Sequence, residues 1–101
     1  MNENEYLKKL NIIYRYYGIK NNEELLDFLK KNKENKLLFL LILKNHNYIN
    51  NCKVRELLAE YSKRSIENNI KKAEEKFLIN IYFRRKYIEL EKGIKKVMNY
   101  V

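Results

Sequence analysis

The sequence predicts a mainly α-helical single domain carrying one small β-hairpin near its C-terminal end, an α+β fold. Three observations lead there. The 101 residues include no proline and only two glycines, and 46% are hydrophobic, a composition suited to helices packed around one modest core. Apolar residues recur at helical spacing as far as Phe77, the pattern of amphipathic helices. From Leu78 to Leu90 the spacing changes to alternation, the pattern of half-buried strands.

Residues 1–50 supply the N-terminal helices. Leu7, Leu10, Tyr14 and Tyr17 repeat at helical spacing, and Gly18 suits the residue that closes a helix in the left-handed region. Asn21 or Asn22 caps a second helix, with Glu23 and Glu24 in its first turn and Leu25, Leu26, Phe28 and Leu29 on its buried side. A third helix around Asn35 to Lys44 contains the longest apolar run, Leu37 to Leu43. An element apolar all round belongs at the centre of a core or under a partner subunit. That run is far shorter than the roughly 20 residues needed to span a bilayer, so no membrane partner is expected. Residues 46–51 form a polar break, with Tyr48-Ile49 as a very short strand.

Residues 51–93 have a different character. Asn50 or Asn51 caps a helix whose Val54, Leu57, Leu58 and Tyr61 share one face. Ser62 then interrupts and caps a second helix, with Ile66, Ile70, Ala73 and Phe77 on its apolar side. Two short amphipathic helices joined this tightly cross steeply to share a core, which is helix-turn-helix geometry. With Arg84-Arg85 at the tip, one hairpin register sorts residues 79–90 into two faces. Ile79, Ile81, Phe83, Ile88 and Leu90 line the apolar face, and Asn80, Tyr82, Tyr87 and Glu89 the other. The competing reading makes 77–98 one long helix. Residues 94–101 form a helical tail.

The formal net charge is +9, and the surplus is uneven: Ser62 to Lys86 holds 8 basic residues against 3 acidic. Such a surplus favours polyanionic partners through counterion release, although AT-rich codon usage also enriches lysine. On the second helix of this segment, Lys63, Arg64, Ser65, Asn68, Asn69 and Lys72 lie away from the core side. These residue types suit guanine, adenine and phosphate contacts in a major groove; the bland alternative is a solvated helix face. Arg84, Arg85 and Lys86 make the densest charge, suited to a narrow minor groove, or merely to keeping an edge hairpin soluble. His46 stands alone without metal-ligand spacing. The single cysteine, Cys52, fits a reducing cytoplasm and reads as a small buried thiol without a paired base. The acidic N-terminus does not look like a secretory signal. Nothing points to an enzyme, a cofactor, a metal or a small-molecule ligand.

Helix, serine-led turn, helix and basic-tipped hairpin together resemble the winged helix-turn-helix family. The run from Val54 to Ile66 is similar to that family's first helix, turn and recognition-helix start. Ile66, Ile70, Ala73, Leu78 and Ile79 resemble the passage into the wing, and Tyr87 to Gly93 the strand and step that close it. The turn is about three residues shorter than usual for the family and lacks glycine, and Phe77 stands where many relatives have glycine. The resemblance implies sequence-specific binding of double-stranded DNA by a recognition helix and a wing. Its owners would be compact transcription regulators or small accessory proteins that mark a conjugative plasmid's transfer origin. The apolar third helix and the end Ile94, Val97, Met98, Tyr100 and Val101 offer surface for a homodimer. The alternative is an all-helical interaction protein, such as a bacteriocin immunity protein of similar size and basicity.

Overall fold

The computed structural model describes the backbone of residues 3–99, with side chains over 8–52 and 54–96. Six helices follow one another: α1 (Glu3–Tyr17), α2 (Asn22–Lys31), α3 (Lys33–Asn45), α4 (Cys52–Leu57), α5 (Lys63–Ile79) and α6 (Ile81–Asn99). Their boundaries follow local chemistry. Gly18 closes α1 at φ 69°, and the Ile19 amide donates to the Tyr14 carbonyl at 2.8 Å. A left-handed backbone there suits a residue without Cβ. Asn21 caps α2 by accepting from the Glu24 amide at 2.9 Å, and Asn32 caps α3 by accepting from the Asn35 amide at 3.1 Å. Asn51 stands before α4, and Ser62 caps α5 by accepting from the Ser65 amide at 3.0 Å.

The centre of the molecule is α3. Leu38, Phe39, Leu40, Leu41, Ile42 and Leu43 are all buried, because α2, α5 and α6 each cover a side of this helix. Its apolar run is thereby consumed in the chain's own core, not offered to a second subunit. The α1 helix lies along α6 and closes the remaining side. Ile94, also expected at a dimer surface, is 1% exposed in the core; Val97, Met98, Tyr100 and Val101 lie outside the described side chains. Between α3 and α4 the chain turns at Asn47 (φ 63°), and Tyr48-Ile49 is loop rather than strand.

Residues 79–90 are helical apart from Asn80 and form no hairpin. The chain is 81% helical, and among the described residues there is no strand; the expected hairpin, and with it the α+β winged fold, is absent. Instead α5 continues to Ile79 and only Asn80 interrupts it, with φ −113° and ψ 109°. Asn80 then caps α6, its side chain accepting from the Phe83 amide at 3.0 Å. From there Phe83, Tyr87, Leu90 and Ile94 fall at i, i+4, i+7 and i+11, and all four are buried. Three of the residues assigned to the hairpin's apolar face (Ile79, Ile81 and Ile88) are exposed, while Tyr87, assigned to the polar face, is buried. The helical period prevails because α3 and α1 need a continuous apolar stripe, and because Arg84-Arg85 cannot supply the positive-φ turn a tight hairpin requires.

Candidate binding surface

The residues expected to contact DNA divide into two groups. On α5, Lys63, Arg64, Asn68 and Lys72 are exposed, joined by Lys71, while Ser65 is half-buried. Asn69 turns back on its own helix, donating to the Ser65 carbonyl at 2.8 Å. The helical repeat sets Arg64, Asn68, Lys71 and Lys72 side by side on the solvent side, opposite Ile70 and Ala73.

The second group does not form a basic tip. On a helix, three consecutive residues point about 100° apart, and Arg84, Arg85 and Lys86 go separate ways. Arg84 folds back to the end of α5, donating from Nε to the Phe77 carbonyl at 2.9 Å and from Nη2 to the Leu78 carbonyl at 2.7 Å. Lys86 donates to Glu34 on α3 at 2.9 Å, an ion pair that holds its ammonium above the ordinary lysine pKa. Arg85 is exposed.

Sequence reasoning missed a groove of about 510 Å³ beside the start of α5. Ile49, Leu58, Ala59, Ile66 and Ile70 give it an apolar floor. Lys44, Arg55, Lys63 and Lys71 stand around it with Glu67 and Glu74. Lys44 is committed to Glu74 at 2.7 Å, and Arg55 donates to Asn50 at 3.0 Å. Lys63 and Lys71 therefore outnumber Glu67 among the remaining charges. The floor comes from three separate stretches of chain, so no single run of sequence announces it.

One signal was nevertheless available. In α2 and α3 the first turns carry Glu23, Glu24 and Glu34, and the last turns Lys30, Lys31 and Lys44, as the helix dipole favours. α5 departs from this at its start: Lys63 and Arg64 occupy the first turn, which holds no acid, while Lys76 in the last turn follows the rule; α4 and α6 also begin without an acid. Cations stacked on the positive end of a helix cost stability unless an anion meets them.

A second cluster joins α1, the loop after α3, and α6. Lys9 donates to His46 Nδ1 at 3.0 Å, and His46 Nε2 pairs with Glu91. Asn45 donates to the Tyr87 hydroxyl at 2.7 Å, which donates to Glu91 at 3.3 Å. Burial is the main cause that pushes the Tyr87 phenol up. Each of these groups is spent on another member, and the void beside Lys9 and His46 is only about 10 Å³, scarcely room for one water. The cluster ties elements together. Cys52 is exposed rather than buried, because its position at the first residue of a short helix faces solvent. Among the described residues, no three His, Cys, Asp or Glu side chains gather as a metal site would need.

Comparison with protein-family models, with curated proteins and with solved structures gives no match. No described helix is long and apolar enough to cross a membrane.

Proposed function

We propose that the protein acts by binding, as an all-helical interaction protein whose α4–α5 groove takes an acidic amphipathic helix from a partner protein. The observation that carries this reading is the inverted charge at the start of α5. Lys63 and Arg64 load the positive end of that helix, and Lys63 stands at the rim of the apolar-floored groove. Local rules are broken most often at functional or strained sites. An apolar floor with a cationic rim is the complement of a helix that has leucine-like residues on one face and carboxylates on the other.

Duplex DNA is the second reading, and one observation favours it: Arg64, Asn68, Lys71 and Lys72 share an exposed face of α5. The loss of the wing removes its other support, and an apolar groove floor has no counterpart in a phosphate backbone. Selection from a displayed library of random helical peptides tests the proposal. The expected result is enrichment of acidic sequences with apolar residues at i, i+3 and i+4, lost in Lys63→Glu/Lys71→Glu. Enrichment without acidic bias refutes it. Salt-dependent anisotropy with duplex DNA, in the absence of any peptide enrichment, decides for the second reading.

A further inference from the structure

Glu74 lines two hollows at once. One is the groove beside the start of α5; the other, of about 200 Å³, is lined by Leu41, Asn45, Glu74, Phe77 and Leu78. The C-terminal end of α3 is shared in the same way, since Lys44 lines the groove while Leu41 and Asn45 line the second hollow. The two hollows thus have the same pair of helices as walls and follow one another along a single seam. On α5 that seam is marked by Ile66, Ile70, Glu74 and Phe77, at i, i+4, i+8 and i+11, one stripe of a helix.

Between them stands the ion pair of Lys44 with Glu74 at 2.7 Å, whose side chains are 42% and 44% exposed. An exposed pair of long side chains contributes little to stability and swings aside at small cost. It is a bar across the seam, not a packed partition.

Size and chemistry select what enters the second hollow. At about 200 Å³ it is smaller than the pockets of about 300–1,000 Å³ that hold small molecules, and it suits a single large side chain. Leu41, Phe77 and Leu78 are apolar, Glu74 is paired with Lys44, and Asn45 donates to the Tyr87 hydroxyl at 2.7 Å. An apolar side chain therefore fits there best, because a polar one would give up water for groups already engaged.

Given the groove as a peptide site, on which this rests, we propose that the partner helix continues past the Lys44–Glu74 pair and seats a second apolar side chain in the hollow. Ile66 and Phe77 are eleven residues apart, about 16–17 Å along α5 at 1.5 Å per residue. A helix laid along α5 covers that length in the same number of residues, about three turns. Its apolar anchors fall at i and i+4 in the groove and at about i+11 in the hollow, with carboxylates toward Lys63 and Lys71.

Fluorescence anisotropy of the full chain with two peptides of about 18 residues, each long enough for the whole seam, tests the site. Both are rich in glutamate and carry leucines at i and i+4; the first has leucine at i+11 and the second alanine, which keeps length and helix propensity alike. The first binds about tenfold more tightly, the share of one buried leucine. Leu78→Ser leaves every charge in place and lowers the first peptide's affinity about threefold or more, since Leu78 is one of the apolar walls. The second peptide's affinity is unchanged by it. Leu78 is 71% exposed, so the substitution does not disturb folding, which circular dichroism verifies. Two peptides bound with equal affinity overturn the extension and leave the groove standing, as does Leu78→Ser weakening both alike. If neither peptide binds, the groove falls as a peptide site and the extension with it. A dimer in sedimentation velocity that Leu78→Ser abolishes gives the hollow to a second copy, and the proposal fails.

Discussion

Arg84 donates from Nε to the Phe77 carbonyl at 2.9 Å, its guanidinium lying 5.8 Å from the centre of the Phe77 ring. A residue whose position suggested a contact with nucleic acid instead finishes a helix. Carbonyls at a helix C-terminus have no partner within the helix, and a cationic donor there also meets the negative end of the dipole. Its neighbour Arg85 is exposed.

The two arginines therefore separate on mutation. Arg84→Ala lowers unfolding free energy by about 1–3 kcal/mol, the range for charge-assisted hydrogen bonds lost from a partly buried site. Arg85→Ala changes it by less than about 0.5 kcal/mol. Urea denaturation of both variants checks this, and equal effects would contradict the assignment.

The helical course of residues 81–99 makes a prediction of its own. Far-ultraviolet circular dichroism gives helix near the 81% of the structure, without a strand component. Phe83→Ala costs about 3–5 kcal/mol as a core truncation, whereas Ile81→Ala, at a half-exposed position, costs less than about 1 kcal/mol. In the hairpin both would face the same core and lose comparable stability.

How far the sequence revealed this fold depended on whether the deciding force was local. Gly18, Asn21 and Ser62 were legible as helix ends because each acts on a backbone group within a few residues of itself. The run Leu37 to Leu43 was legible as apolar all round, which left the core's centre and a partner's cover both open. Residues 79–90 were misread because two periods coincide there. Ile79, Ile81, Phe83, Ile88 and Leu90 alternate, while Phe83, Tyr87, Leu90 and Ile94 repeat along a helix, and β-branched and aromatic residues suit both. Only the need of α3 and α1 for a covering stripe separates the two, and that need is tertiary. Asn80 was the overlooked local sign, an asparagine cap placed ahead of the second pattern. For the binding surface, the exposed residues of α5 were found, but the groove was not, since Ile49, Leu58 and Ile70 meet only in space.

The hydroxyl of Tyr17 is buried and has no hydrogen-bond partner among the described residues. Burial pushes its phenol well above the ordinary tyrosine range, as expected for an oxygen cut off from water. The Tyr61 hydroxyl is likewise buried without a hydrogen-bond partner among the described residues. Removing an unpaired buried polar atom relieves its desolvation cost. Tyr17→Phe and Tyr61→Phe each leave stability unchanged or raise it by about 1 kcal/mol, measured as the midpoint of thermal unfolding. A loss of more than that would show that each hydroxyl has a partner after all.

The start of α5 offers the sharpest test of function, because stability and binding respond there in opposite directions. Ser62 caps the helix, and Ser62→Ala costs about 1 kcal/mol by the loss of that bond. Lys63 and Arg64 follow, both exposed, where the dipole favours acids. Lys63→Glu/Arg64→Glu therefore raises unfolding free energy by about 0.6–2 kcal/mol, the dipole contribution of two exposed first-turn charges. The gain shrinks as salt is added, since exposed charges are screened. The same change reverses the charge at the groove mouth and abolishes binding of the acidic helical peptides. A variant that is more stable yet does not bind identifies these cations as kept for a partner. A variant that loses stability, or that binds as the wild type does, removes the basis for assigning the groove.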